Sequence, residues 1–290
     1  MKRYGLFAGL AVTILLFIAA CGADTASTPT AAAVSTATPK PADTTAAAPT
    51  ELLAPTATTA PTATLAPTAT PPPTPLGKKS ITIGPSKDNT LYETFANFTS
   101  NGAGQYFFAG RTNSGAARRG LIAFDVGGSI PAGATINSVT LTLNMSQTAA
   151  GEQNVQLHRL LSAWSEGNSD ASENEGGGTF AATGDATWVH TSFDNAKWQS
   201  PGGDFSPQSS AKQQVRGVGQ YIWGSTDEMV ADVQGWLKNP ATNFGWLLLG
   251  NEGANQTTKR FYSKENPTAA NRPQLTVEFT SGGSAGPGGG

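Results

Sequence analysis

The sequence predicts an all-β protein: one antiparallel β-sandwich, jelly-roll-like, with one short helix near 227–238, behind an N-terminal signal and a disordered linker. Three observations predict it. Apolar and polar residues alternate repeatedly after residue 80, and a period of two puts every other side chain on one face of a strand. Charged residues are only 13% of the chain while glycines number 34, a balance that favours strands and turns over helical bundles. From about Ala23 to Leu76 the chain is almost entirely Ala, Thr and Pro, so the roughly 200 residues that follow must supply the core. An antiparallel barrel is the second architecture this pattern allows.

Residues 1–20 form the first element. Lys2 and Arg3 precede an apolar run from about Leu6 to Ala20, and Ile18-Ala19-Ala20 leads into Cys21, the only cysteine. This is a signal peptide by pattern, and I-A-A-C resembles a bacterial lipoprotein box. The resemblance implies cleavage before Cys21 and a diacylglycerol on its thiol. It also implies an extracytoplasmic protein, anchored to a bacterial membrane through lipid on Cys21 and exposed at the cell surface. An uncleaved anchor is disfavoured, because the run is shorter than the ~20 residues a spanning helix needs. With its one cysteine given to lipid, the chain has no internal disulfide.

Residues 21–77 are the lipidated cysteine and a stalk. Ala54-Pro55-Thr56-Ala57-Thr58 recurs at Ala60 and at Ala66. No apolar periodicity is present to bury, so the segment is expected to stay disordered. Proline favours extended polyproline II stretches, and full extension would reach on the order of 150 Å at ~3.1 Å per residue. Its threonines offer sites for O-linked sugar. Residues 282–290 read as a Gly-rich disordered tail.

The folded domain is placed at 78–281. Ile81-Thr82-Ile83 alternates and stops at Gly84-Pro85; Tyr106 to Gly110 is a short apolar run; Gly120 to Val126 reads as a buried strand. Val139, Leu141, Leu143 and Met145 alternate with polar residues, and Val155, Leu157 and Leu161 continue that pattern. Between Ser165 and Lys212 runs a polar, Gly-rich excursion that carries Trp188 and Trp198, a length uncommon in a compact domain without a binding role. Met229, Val230, Val233, Trp236 and Leu237 share one helical face, with Thr226 or Asp227 as cap and Asn239-Pro240 as stop. Tyr221 to Trp223, Phe244 to Leu249, Arg260 to Tyr262 and Leu275 to Phe279 complete the strands.

The order of these signals resembles the DNRLRE domain family over residues 80–279. It rests on Arg118 to Asp125 (RRGLIAFD), Ile130 to Ile136 (IPAGATI), His158 to Gly167 (HRLLSAWSEG), Asp232 to Leu237 (DVQGWL), Asn243 to Leu249 (NFGWLLL), Phe261 to Glu265 (FYSKE) and Arg272 to Val277 (RPQLTV). Asp88-Asn89-Thr90-Leu91-Tyr92-Glu93 is similar to the naming motif, with Thr90 and Tyr92 where it has arginines. The resemblance implies a non-catalytic β-sandwich similar to alginate-binding carbohydrate-binding modules. It carries over no individual site residue.

The chemistry points away from catalysis. His158 and His190 stand alone, each read as structural; the His and Cys needed for zinc are missing; and the formal G-x-S-x-G at Gly282 lies in the tail rather than between strand and helix. Net charge is −2, from 18 basic and 20 acidic residues, and no basic tract follows Arg3, so no electrostatic case exists for nucleic acid. Sugar binding would rest on rings that stack on pyranose C–H groups; Trp188, His190, Trp198, Tyr221 and Trp223 are the candidates. Trp164, Trp236 and Trp246 belong to the core by pattern. An anionic polysaccharide would also use Arg111, Arg118, Arg119, Arg216, Lys259 or Arg260. No cofactor is required, but a structural calcium needs six to eight oxygens, for which Asp88, Asn89, Glu93, Glu265 and Asn266 are the candidates. The expected function is a cell-surface lipoprotein whose sandwich binds polysaccharide. The alternatives are a structural or adhesive module that binds another protein, and an unrecognised carboxylate-dependent enzyme acting on glycan.

Overall fold

The structure, a computed structural model, describes residues 77–281. The signal peptide, Cys21 with its lipid, the stalk and the Gly-rich tail expected from the sequence lie outside the described residues. In chain order the strands are β1 (Lys78–Ile83), β2 (Pro85–Tyr92), β3 (Thr99–Ser100), β4 (Tyr106–Arg111), β5 (Ala117–Phe124), β6 (Thr135–Thr148), β7 (Gln153–Leu160), β8 (Thr179–Phe180), β9 (His190–Ser192), β10 (Ala196–Lys197), β11 (Phe205–Val215), β12 (Gly219–Gly224), β13 (Trp246–Leu249), β14 (Lys259–Tyr262) and β15 (Gln274–Thr280). A single turn, α1 (Val126–Ser129), and one three-turn helix, α2 (Asp227–Lys238), accompany them.

The strands form an antiparallel β-sandwich. One layer holds β1, β15, β6, β14 and β4, with β12 also on β6; the other holds β2, β5, β13, β7 and β11. The hairpin from Arg111 to Ala117 carries the ladder from one layer to the other. The chain crosses repeatedly between layers, as in a jelly roll. Because every pairing is antiparallel, directions can be followed around the molecule. Lys78 pairs with Thr280 at one end, where α1 and α2 also pack. The turns after β4, β6, β11 and β13 gather at the other end, where Lys259 pairs with both Ala109 and Thr148.

Alternation sets what each strand buries. Ile122, Phe124, Leu141, Leu143, Leu157, Trp223, Trp246, Phe261 and Val277 point between the layers into the main core. Leu121, Ala123, Leu160 and Leu247, one residue out of phase, point the opposite way and are also buried, beneath Trp164, Trp188 and Trp198. That second, outer cluster explains why β5 and β13 read as unbroken apolar runs: both faces are covered. Gly245 lets β13 enter between β5 and β7. Its φ is +80°, and a Cβ there would lie 2.1 Å from the Ile122 carbonyl oxygen.

The helix matches its expected span. Thr226 Oγ1 accepts from the Met229 amide at 3.1 Å, the N-cap bond that satisfies an otherwise orphan donor. Met229, Val233, Trp236 and Leu237 are buried against the main core, and Trp236 meets Trp246 edge-on at 4.6 Å. The first strand ends at Ile83, before Gly84-Pro85 as expected, and the chain re-enters as β2 in the opposite layer. One expectation is corrected. The excursion ends at Asp204 rather than Lys212: residues 205–215 form β11 along β7. That strand is mostly polar: Ala211 and Val215 turn into the main core and Phe205 packs on the outer cluster, so backbone bonding carries most of its pairing.

Candidate functional site

The aromatic candidates from the sequence are structural. Trp188 and Trp198 are 8% and 5% exposed; they cover the outer face of β5, β13 and β7, which is apolar and must be shielded from water. Trp198 donates from Nε1 to the Thr187 carbonyl at 2.9 Å, and the Arg119 guanidinium lies 4.8 Å from the Trp188 ring. Trp223 is fully buried in the main core and donates to the Val155 carbonyl at 2.9 Å. Tyr221 closes its own hairpin by donating to the Gly217 carbonyl at 2.7 Å. His190 is buried beside Thr187 Oγ1 at 3.0 Å, with Phe193 edge-on at 5.1 Å. Four of the five are buried, and Tyr221 is half-buried against the main core.

Of the calcium candidates, two converge. Asp88 and Glu265 lie with Glu166 so that one carboxylate oxygen from each falls within 4.8 Å of the others. Asn89 is occupied elsewhere: its Nδ2 donates to the Glu166 carbonyl at 2.6 Å and to Ser100 Oγ at 3.0 Å, and its Oδ1 accepts from Asn101 N at 3.1 Å. Glu93 accepts from the Ala117 amide at 2.7 Å, and Asn266 Oδ1 accepts from the Thr268 amide at 3.1 Å. So the D-N-x-L-x-E stretch chiefly ties loops to β2. Glu166 was missed because nothing local marks it; only the folding of the excursion onto β2 brings it there. Its Oε1 accepts from the Asp88 amide at 2.7 Å.

The triad already has a cation. Lys264 reaches Glu166 Oε2 at 3.2 Å and bonds Glu265 Oε1, and its backbone amide donates to Asp88 Oδ2 at 2.8 Å. Burial, then the neighbouring Glu265 charge, pushes the Asp88 carboxyl well above the ordinary range. Burial also raises Glu166, against the pull of Lys264. The oxygens suit a hard cation, but a metal would have to displace the ammonium.

The opening that best fits a ligand lies elsewhere, at the loop-rich end. On β4 and β14, Phe107 and Phe261 point into the core, so Tyr106, Phe108, Arg260 and Tyr262 face out. A cleft of about 300 Å³ opens beside Phe108 and Arg260, lined also by Thr112, Asn113, Gln147, Thr148, Asn174, Gln256 and Thr258. The Arg260 guanidinium stacks 3.9 Å from the centre of the Tyr106 ring. Its Nε donates to Ser146 Oγ at 2.9 Å and its Nη1 to Asn174 Oδ1 at 3.3 Å. Tyr262 lies beside Tyr106, ring centres 5.5 Å apart. Thr258 Oγ1 is buried without a partner.

The walls are held by buried polar groups. Glu175, at a φ of +57°, accepts from Asn101 Nδ2 at 2.7 Å, Tyr106 N at 2.9 Å and Gln105 N at 3.0 Å. Its carbonyl accepts from the Tyr92 hydroxyl at 2.9 Å, and Arg118 Nε donates to the Gly176 carbonyl at 3.1 Å. Opposite, the Lys259 ammonium is buried and donates to the carbonyls of Gly151, Arg216 and Ala150 at 2.6, 3.0 and 3.2 Å. Among the basic candidates from the sequence, Arg111 and Arg119 are committed to the loop at Glu252 and Arg118 and Lys259 to carbonyls. Arg260 alone of them lines this cleft.

No protein-family model matches the chain, and no curated protein matches it either. Among the described residues, no helix is long and apolar enough to cross a membrane.

Proposed function

We propose that this protein presents a non-catalytic β-sandwich that binds polysaccharide in the cleft over β4, β14 and β6. We place it at the cell surface, held to the membrane by lipid on Cys21 and raised by the stalk, as the lipobox and DNRLRE resemblances imply. The observation that carries the reading is the lining: a guanidinium held 3.9 Å from the centre of the Tyr106 ring, among amides and hydroxyls, with no carboxylate among the lining residues. Amides and hydroxyls match sugar hydroxyls in both donor and acceptor roles, and Arg260 adds a fork for an acidic group. Binding requires no cofactor. A structural calcium would sit at the Asp88–Glu166–Glu265 triad in competition with Lys264, and its sign is a Tm that falls on chelation.

The test is affinity electrophoresis of the full chain through gels containing soluble neutral or acidic polysaccharides. Wild type should be retarded in at least one gel, and Arg260→Ala and Gln256→Ala should lose that retardation without loss of fold. Unretarded wild type in every gel overturns the reading.

A protein-binding role starts from Phe95 and Phe180, which are 108% and 86% exposed, and requires that they belong to one contiguous apolar patch, since singly exposed rings are ordinary. On that reading Phe95→Ser with Phe180→Ser abolishes adhesion while polysaccharide binding is absent throughout. The third reading, a carboxylate-dependent enzyme, starts from the acidic triad and requires release of reducing ends from a polysaccharide.

A further inference from the structure

A second opening lies at the same end of the sandwich, on the outer face of β13, β7 and β11 where the tryptophan cover stops. It has a volume of about 510 Å³ and is lined by Gln153, Asn154, Gln156, Gln214, Asn251 and Glu252, among others. Its floor is rigid sheet: Gln156 pairs with Leu249 on one side and Lys212 on the other, and Asn154 pairs with Gln214. The side-chain amides of Asn154, Gln156 and Gln214 make no hydrogen bond to the described residues. Each therefore presents a donor and an acceptor from one planar head, the pattern that adjacent sugar hydroxyls require.

The wall is fixed before any ligand arrives. Glu252 is held by Arg119 through two bonds, Nε to Oε1 at 2.8 Å and Nη2 to Oε2 at 2.9 Å. Arg119 is itself anchored to the Gly202 carbonyl at 2.8 Å. Asn251 bridges Gln153 Oε1 at 2.8 Å and the Gly253 amide at 2.9 Å. The fork neutralises Glu252 and leaves Glu152 as the one unpaired carboxylate of the lining, so the opening holds no free guanidinium and disfavours an anionic polymer. The wall, already held, loses little entropy on binding. The volume falls within the usual range of small-molecule sites.

We propose that this is a second cleft, for uncharged hydroxyl-rich sugar residues. The proposal rests on the polysaccharide reading of the first cleft and extends it. The two clefts share a rim: the turn after β6 supplies Thr148 and Ala149 to the first and Glu152 to the second, and the turn after β13 supplies Gln256 to the first and Asn251 to the second. The Lys259 ammonium fastens that rim from below through the Ala150 and Gly151 carbonyls. A polymer that engages both sides of the rim gains from the second contact as an intramolecular event.

The experiment measures the full chain in gels containing hydroxyethylcellulose, galactomannan or polygalacturonate, as wild type, Arg260→Ala, and Gln156→Ala with Gln214→Ala. The double variant should keep the wild-type Tm, because neither glutamine side chain has a hydrogen-bonding partner among the described residues. The double variant should lose about tenfold or more in affinity for a neutral polymer, the scale of two lost hydrogen-bonding side chains, and keep its affinity for polygalacturonate. If the double variant binds every polymer as wild type does, the second cleft is overturned and the first reading stands. If wild type binds polygalacturonate alone, the second cleft is again overturned. If wild type binds none of the three polymers or any other in the panel, both readings fall together. Neutral-polymer binding lost in the double variant, with binding to every polymer untouched by Arg260→Ala, upholds the second cleft and removes the first.

Discussion

The two layers treat their outer faces in opposite ways. Outside β5, β13 and β7, the residues Leu121, Ala123, Leu160 and Leu247 are sealed beneath Trp164, Trp188 and Trp198. Outside β4 and β14, the corresponding positions carry Tyr106, Arg260 and Tyr262, partly open to solvent and held by Glu175 and Ser146, with only Phe108 buried among them. A sheet with apolar residues on both faces must acquire a cover, since leaving those side chains in water costs ~25 cal/mol per Å² of apolar surface. A sheet with polar residues on its outer face has no such need, and that face stays free for a ligand. The lesson concerns tryptophan: in this molecule the indoles mark what is closed, and the mixed Tyr–Arg–amide surface marks what is open.

The comparison breaks first at the main core. Trp236→Ala should destabilise the domain by about 3–5 kcal/mol, the range for emptying a buried aromatic site, because Trp236 packs between α2 and Trp246. Urea unfolding reads the change, and an unaltered midpoint would mean that the helix lies free. Trp188→Ala should cost less, about 3 kcal/mol at the lower edge of that range, and should loosen the cover before the sheets. Limited proteolysis should then cut within residues 165–205 while β5 and β13 stay protected. Equal protection of the excursion in mutant and wild type would show that Trp188 does not hold the cover.

A smaller effect tests how the cover is tied down. Asp88, Glu166, Glu175 and Asp232 all titrate above the ordinary carboxylate range, each first because burial penalises its charge. A folded-state pKa above the unfolded value means that the folded chain binds more protons between the two, so stability falls as pH rises through that window. His190, lowered by burial and then by Lys197, gives the opposite slope below ~6.5. Asp88 is raised furthest of the four, so Tm should decrease as pH rises from the ordinary carboxylate range through its folded value. Asp88→Asn, which keeps an acceptor for the Lys264 amide, should flatten that decrease; an unchanged slope would remove Asp88 from the account. The smallest effect on stability belongs to the open face. Arg260→Ala should shift unfolding by less than ~0.5 kcal/mol, so a large loss would mean that this face is structural too.

Much of the fold was legible in the residues themselves. The helix came from Met229, Val233, Trp236 and Leu237, whose spacing is a property of one segment, and Thr226 marked its start for the same reason. The alternating run Val139 to Met145 became the centre of β6, and Trp164, Trp236 and Trp246 fell in the core as their patterns indicated. The polar strand β11 was not legible, because its partner β7 lies some fifty residues away and holds it through backbone bonds. The site was less legible than the fold. Trp188 and Trp198 sit in polar sequence, and their burial depends on the apolar outer side of β5 and β13, which no local pattern reveals.

The sequence by itself determined that the chain is all-β with one helix, where that helix begins, and which residues alternate inward. Those are consequences of backbone geometry and side-chain period, which act within a few residues. Tertiary structure alone decided which outer face is covered, that Glu166 and Glu265 meet Asp88, and that Arg260 lies on Tyr106 beside amides drawn from four separate turns and strands. Those contacts join residues far apart along the chain, and only the closing of one layer over the other brings their charges, rings and hydrogen-bonding groups within reach.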